Sequence, residues 1–288
     1  MIYSEIYARS ALNKLKRKIP YRWDLNIYRG CEHACHYCYA RYSHKYLGSG
    51  DFDENIYVKT NIVDVLSREL KSSTWRNEVI NIGGVTDSYQ PAEQHYQIMP
   101  QILRLMIEHK NPVIISTKSS LILRDFELID ELSRMTYVNV AVTITTVNEE
   151  LRARIEPGSS SVRERFQILG KFRDSEASRG LHVMPILPFI TDDLKGFEEL
   201  FCRAQKSDVD YALCGTLYLL GRTREHFFSF MEREFPELVN AYRKLYTKGG
   251  TGSHYKTKLY RVVNTARNKF GLDGNYTRPM KEKMRDSH

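Results

Sequence analysis

Six short apolar, β-branched runs recur along this chain with amphipathic stretches between them, and that alternation leaves few architectures open to it. The runs are Leu25-Asn-Ile-Tyr28, Val79-Ile-Asn-Ile82, Pro112-Val-Ile-Ile-Ser-Thr117, Val138-Asn-Val-Ala-Val-Thr-Ile144, Leu181-His-Val-Met-Pro-Ile-Leu187 and Tyr211-Ala-Leu-Cys-Gly-Thr-Leu-Tyr218. One-sided helical spacing is predicted between them, over 61–70, 94–109, 126–135, 162–179 and 194–204. Strands that alternate with helices form a parallel sheet, because each crossover helix covers a face of it. Six such units predict an α/β fold, a partial (β/α)6 TIM-type barrel over residues 1–220. After Tyr218 the pattern changes to a long helical stretch, Arg222 to Tyr246, then Gly249, Gly250 and Gly252 as punctuation, then a last helix from Tyr255 to Phe270. Residues 221–288 are expected to form a C-terminal helical extension packed on or near the barrel, with a loose tail from about 272. In parallel barrels the functional site lies at the carboxyl ends of the strands.

The loop after the first run carries Cys31, Cys35 and Cys38, spaced Cys-x3-Cys-x2-Cys, with Tyr37 before the last. Four-iron clusters normally take one thiolate per iron, so a loop offering only three leaves one iron open to a ligand that is not protein. A zinc site remains an alternative, but it needs a fourth ligand, and His33, His36 and His44 read as loop and helix surface residues. With five cysteines, an odd count, and no signal peptide, a disulfide framework is not expected and a reducing cytoplasm is. Cys202 and Cys214 read as buried small apolar residues.

The cysteine loop resembles that of the radical S-adenosylmethionine (SAM) superfamily. The resemblance implies a [4Fe–4S] cluster whose open iron chelates SAM, reductive cleavage of SAM to a 5′-deoxyadenosyl radical, and abstraction of a substrate hydrogen by that radical. It also implies a flavodoxin or ferredoxin-type electron donor. Gly83-Gly-Val-Thr-Asp-Ser-Tyr-Gln-Pro-Ala-Glu93 after the second strand is similar to a segment of the spore photoproduct lyase-like family. In radical SAM enzymes this position often holds a Gly-Gly-Glu-Pro-like segment that contacts the amino group of SAM, and the resemblance implies that Gly83, Gly84, Thr86 and Asp87 lie in the cofactor site; here the glutamate is missing and Thr86 with Asp87 stand in its place. Lys118, emerging from the third strand, is placed like the family's lysine for the SAM carboxylate; a salt bridge to Asp125 is the plainer alternative. Thr143 and Thr145 share one face of the fourth strand and are available to the methionine or ribose end. Arg154 and Glu156, in the Arg-Ile-Glu-Pro-Gly stretch, either contact the ligand or pair with each other. Leu187 and Pro188 resemble the family's adenine-stacking wall, with Tyr37 helping. The lyase's hydrogen-donating cysteine has no counterpart, since the matching stretch reads Gly83-Gly84-Val85. The final hydrogen would then come from SAM regeneration, from a tyrosine such as Tyr89 or Tyr218, or from an external reductant; Tyr89 and Tyr218 are the candidate catalytic residues, with Tyr89 assigned to the substrate pocket.

Net charge is +8, concentrated at Lys14, Lys16, Arg17, Lys18 and Arg22 and again from Lys256 through Lys258, Arg261, Arg267, Lys269, Arg278, Lys281, Lys283 and Arg285. Such ends suit a polyanion, so DNA or RNA is an expected substrate, and solvated helix faces are the plainer reading. No apolar run is long enough to cross a membrane. A chain of this composition could also be a non-catalytic nucleic-acid-binding iron–sulfur or zinc protein.

Overall fold

Val138–Thr143 is buried at every position, as a parallel strand covered on both faces must be. In the computed structural model, which describes residues 1–16, 19–46 and 51–285, that strand lies near the middle of a seven-stranded sheet. The strands are β1 (Ile2–Ile6), β2 (Leu12–Lys14), β3 (Trp23–Leu25), β4 (Tyr28–Arg29), β5 (Asn55–Lys59), β6 (Ile80–Ile82), β7 (Val113–Thr117), β8 (Val138–Thr143), β9 (Ser178–Ile186) and β10 (Tyr211–Thr216). Sheet order is β2-β3-β6-β7-β8-β9-β10, parallel throughout except for the antiparallel edge pair β2–β3. The six parallel strands are the partial barrel. β1, β5 and β4 make a separate small sheet.

The helices are α1 (Ile62–Leu70), α2 (Ala92–Tyr96), α3 (Ile98–His109), α4 (Phe126–Met135), α5 (Glu149–Ile155), α6 (Val162–Lys171), α7 (Leu194–Lys206), α8 (Gly221–Glu234), α9 (Val239–Leu245), α10 (Gly252–Lys269) and α11 (Arg278–Arg285). Ile102, Leu103 and Met106 of α3, Ile129 and Leu132 of α4, Ile168 and Leu169 of α6 and Phe197 and Phe201 of α7 close the main core over Ile115, Val140 and Val142. Each such side chain contributes about 1.5–3 kcal/mol by leaving water.

Several boundaries differ from those the pattern predicts, each for a tertiary reason. The first expected strand is split: Trp23–Leu25 joins the barrel, while Tyr28–Arg29 turns away to pair with β5. The helix expected over 162–179 stops at Lys171, because Ser178, Arg179 and Gly180 pair with Asn139, Val140 and Ala141 of β8. At Gly180 an added Cβ would lie 2.2 Å from the Tyr211 ring, so only glycine admits that ring there. The long stretch 222–246 breaks at Pro236, which cannot continue α8. Within the stretch expected to be loose, Arg278–Arg285 forms α11, whose Met280 and Met284 pack against Val79, Ile114 and Tyr137, apolar side chains that would otherwise face water. Among the described residues, no helix is long and apolar enough to cross a membrane.

Glu93 joins three of these elements. It has no exposed surface, accepts hydrogen bonds from Tyr28 Oη (2.5 Å) and from the first amides of α3, Ile98 (3.1 Å) and Met99 (2.9 Å), and pairs with Arg124 at 2.8 Å. Glu93→Ala takes one of two carboxylate partners from the half-buried Arg124 and leaves a buried hydroxyl and two helix-end amides without their acceptor. We expect it to destabilise the fold by about 3–5 kcal/mol in urea denaturation, against about 1 kcal/mol for Tyr28→Phe.

Candidate active site

Cys31, Cys35 and Cys38 occupy the loop that follows β4 and leads into a 3-10 stretch, Tyr39–Tyr46. Cys31 and Cys35 are buried and Cys38 is half-buried; all five cysteines are free thiols. Cys202 is half-buried rather than fully enclosed. Gly30 opens the loop at φ +84°, and a Cβ there would sit 2.6 Å from the Asn55 carbonyl oxygen, so the chain can turn toward Cys31 only with glycine.

Four neighbouring segments hold this loop. Thr86 Oγ1 donates to the Gly30 carbonyl at 2.6 Å, and Gln90 accepts from the Glu32 amide at 2.9 Å. The Glu156-Pro157-Gly158 turn lies against it, with Gly158 donating to the His33 carbonyl (3.1 Å), His33 Nδ1 on the Gly158 carbonyl (2.9 Å), and the His36 amide on the Ile155 carbonyl (3.1 Å). A Cβ at Gly158 would be 2.0 Å from the Glu32 carbonyl oxygen. Arg41, almost fully buried, pairs with Asp53 at 2.5 Å. From the far end of the chain, α8 supplies Thr223, whose hydroxyl donates to the Cys38 carbonyl at 3.1 Å, while His36 stacks on Phe230 at 4.2 Å and contacts His226 at 3.1 Å.

Asp87 ties these segments together. It is buried, accepts from the amides of Tyr89 (2.9 Å) and Lys118 (2.8 Å) and from Thr117 Oγ1 (2.8 Å), and faces His33 Nε2 at 3.0 Å. Burial alone would push its carboxyl up; the His33 ring and the two amides outweigh that and hold it at about 2.

Glu156 has no exposed surface and pairs with the equally buried Arg165 at 2.6 Å. It also accepts from Thr145 Oγ1 at 3.0 Å and from the Tyr37 hydroxyl. Burial opposes its charge, but Arg165 and Lys118 keep its carboxyl below the usual range. Arg165 donates further to the carbonyls of Thr143 (2.9 Å) and Ser160 (2.8 Å). Sequence reasoning missed Arg165; its only signal was a charged residue on the apolar stripe of the predicted helix. The expected Arg154–Glu156 pair is not formed: Arg154 points outward to Glu234 at 3.1 Å and stacks on Phe235. Nor does Lys118 reach Asp125, which pairs with Arg124. The Lys118 ammonium is opposed by burial and favoured more strongly by Cys35, Glu156 and Asp87, which raise its pKa. Among the described residues that ammonium closes no ion pair; it lies 5.9 Å from the centre of the Tyr37 ring.

The remaining candidates separate into two groups. Tyr37, Leu187, Leu217 and Cys35 share one apolar cluster with Phe227, Phe230 and Tyr242 of the C-terminal helices, and Tyr242 Oη donates to the Pro188 carbonyl at 2.7 Å. Gly83 has φ +88°, and a Cβ at Gly84 would be 2.3 Å from Asp24 Oδ2, so this turn also needs both glycines; the Gly84 carbonyl accepts from Tyr39 Oη. Tyr218 is exposed and lies under Gly249 and Gly250. Tyr89 does not line a pocket at the mouth: its side chain is wholly enclosed in the main core, because the turn after Asp87 faces it inward. Thr86 and Thr145 are likewise engaged with Gly30 and Glu156.

The donor set suits a three-thiolate cluster. Burial pushes all three thiols up, Cys35 to about 12, whereas a coordinating metal deprotonates a thiol outright. His33 is engaged by Gly158 and Asp87, His36 by His226 and Phe230, and His44 Nε2 by the Asn55 carbonyl. His33 and His44 are buried members of the scaffold rather than the surface residues expected from sequence. Among the described residues, no group of three or more His, Cys, Asp or Glu side chains, the three cysteines included, is arranged to hold a metal ion.

Residues 25–201 match the radical SAM superfamily, and the chain belongs to it. An uncharacterized protein of Mycobacterium tuberculosis is 36% identical over 252 residues, covering 86% of this chain and 74% of that protein. One of Methanocaldococcus jannaschii is 27% identical over 267 residues, covering 92% and 93%. A mutant of spore photoproduct lyase shares the fold with a TM-score of 0.70 at 15% identity, covering 93% of this chain and 79% of that one. Another, with bound AdoMet and dinucleoside spore photoproduct, gives 0.68 at 16% identity with the same coverage.

Two outcomes follow from this geometry. Arg165→Ala should cost about 3–5 kcal/mol in chemical denaturation by stranding Glu156, while Arg154→Ala should cost less than about 1 kcal/mol. Because the Asp87 pKa falls from its ordinary 3.8 to about 2 on folding, its stabilisation is present above that ordinary value and is lost as pH drops toward 2. Acid denaturation of Asp87→Asn should therefore show a weaker pH dependence between those values than the wild type.

Proposed function

We propose that this protein is a radical SAM enzyme of the cytoplasm that holds a [4Fe–4S] cluster on Cys31, Cys35 and Cys38 and acts on a nucleic acid. The observation that carries the reading is the set of three free thiols, two buried and one half-buried, on one loop at the carboxyl end of the barrel, with the nearby histidines engaged in the scaffold. When bound, the cluster and SAM supply the reductive cleavage and the hydrogen-abstracting 5′-deoxyadenosyl radical.

The protein's part is to bind, orient and exclude water. Lys118 offers a charged donor to the SAM carboxylate, and the Glu156–Arg165 pair and Asp87 keep the surrounding field balanced so that this ammonium stays protonated. Leu187, Leu217 and the Tyr37 ring make an apolar wall beside Cys35 on which an adenine can pack. Thr223 and Phe230 of α8 brace the back of the cysteine loop. Tyr218, exposed near the carboxyl end of β10, is the tyrosine available to a substrate; Tyr89 is too deep. With Gly83, Gly84 and Val85 where the lyase has its hydrogen-donating cysteine, thymine-dimer repair is not the reaction proposed. A flavodoxin or ferredoxin-type donor fits as the electron source.

The nucleic-acid part rests on charge. Lys269, Arg278 and Lys283 are paired with acids of the chain, but Lys256, Lys258 and Arg261 are exposed along α10. Arg17 and Lys18 lie outside the described residues.

Anaerobic reconstitution with iron and sulfide should give a brown protein that, reduced with dithionite, converts SAM to 5′-deoxyadenosine. Replacing any of the three cysteines by alanine should abolish both colour and product. Lys118→Ala should retain the cluster yet bind SAM about 10- to 100-fold more weakly. A colourless protein, or a zinc-bound one that leaves SAM intact, would instead favour a non-catalytic binding module. Alanine at Lys256, Lys258 and Arg261 should reduce the salt dependence of oligonucleotide binding by about one unit of slope for each phosphate left without its cation; binding that is flat with salt removes the nucleic-acid part.

A further inference from the structure

Lys59 closes β5 with its side chain turned into the protein. It is 7% exposed, and its Nζ donates one hydrogen bond, 2.6 Å long, to the Asn26 carbonyl. An ammonium has three donors, and burying one without an anion is costly. Among the described residues no carboxylate pairs with it. The charge that reaches it comes from Arg29, and burial together with that guanidinium lowers its pKa to about 8.

Lys59 also lines an open hollow of about 340 Å³, together with Ile6, Tyr7, Ala8, Arg9, Ser10, Asn13 and Arg29. Three cationic residues therefore line one hollow, with Arg29 close enough to act on the Lys59 charge, and among the described residues neither Arg9 nor Arg29 closes an ion pair either. Cations gathered without acids repel one another, so an arrangement of this kind is stable in proportion to the anion it takes up. Two guanidinium forks and an ammonium suit the oxygens of a phosphate better than a flat carboxylate, which one fork would satisfy. The hollow is also of the size that takes an organic ligand rather than a bare ion. At its rim stands Tyr7, 82% exposed, an aromatic face with no need to be in water.

We propose that this cavity binds the phosphate of a nucleotide unit, with Lys59, Arg9 and Arg29 on the phosphate oxygens and Tyr7 stacked on the base. Arg29 borders the cysteine loop, two residues before Cys31, and the proposal holds whether or not the enzyme acts on nucleic acid.

Calorimetric titration of the full chain tests it, with inorganic phosphate, adenosine 5′-monophosphate and a single-stranded octanucleotide as separate probes. Saturable binding of the mononucleotide is expected, about tenfold weaker in Arg9→Ala, a surface change that leaves the fold intact, and weaker still in Lys59→Met, which keeps the buried stem. Tyr7→Ala should leave inorganic phosphate unaffected and weaken the mononucleotide about fivefold. Octanucleotide binding tighter than the mononucleotide and abolished in the same variants assigns the phosphate to a strand; mononucleotide binding as tight as the octanucleotide assigns it to a free nucleotide. Absence of saturable binding by every probe overturns the proposal, as does binding unchanged in Arg9→Ala. Equal affinity for phosphate and mononucleotide that Tyr7→Ala does not alter overturns the base-stacking half.

Discussion

Asp87 is where three strand-end loops of the barrel become one rigid unit. Its carboxylate takes the amide and hydroxyl at the end of β7 through Lys118 and Thr117, closes its own turn through the Tyr89 amide, and reaches His33 in the cysteine loop. A buried carboxylate is tolerated only when its oxygens are met by such donors, and here the donors come from segments far apart in sequence. The same charge helps keep Lys118 protonated although it is drawn into the protein. A single buried anion thus fixes the shape of the loop that carries the thiols and the charge of the cation nearest to them.

Around that centre a buried polar network lies beside apolar clusters that take in the cysteines themselves, Cys35 toward the C-terminal helices and Cys31 beside Ala40 and Phe52. The Glu156–Arg165 pair has no access to water, and with Tyr37, Thr145 and Ser159 around it each charge finds more than one partner. Such a network is unforgiving of substitution, because removing one member strands another. The C-terminal helices are no appendage: Phe227, Phe230, Tyr242 and Tyr246 form one cluster with Cys35 and Leu187, and α8 reaches the cysteine loop directly. Water is excluded from one side of the loop by residues about two hundred positions downstream of it.

Much of this was legible without coordinates. The parallel strands could be read because strands covered on both faces are written as unbroken apolar runs, and the cysteine spacing could be read because a local loop presents its ligands locally. Thr86, Asp87, Gln90 and Glu93 were visible as a motif, but their work was not: they hold Gly30, His33, the Glu32 amide and the start of α3 rather than standing open at the mouth. Tyr89 was misjudged because a tyrosine beside a strand end looks available until the turn that follows is known to face it inward. The strands β1 and β5 escaped notice because they are short, partly exposed and paired across more than fifty residues.

What the sequence determined by itself is therefore what depends on near neighbours: the alternation of strand and helix, the triplet of thiols, and glycines at the turns after β4 and β6. What only the tertiary structure decided is which charge meets which. Glu156 faces Arg165 instead of Arg154, Asp125 faces Arg124 instead of Lys118, and Lys59 faces a hollow. A helix or a loop is specified by contacts a few residues apart, whereas the partner of a buried charge is set by how strands align across the barrel, and no local pattern carries that register.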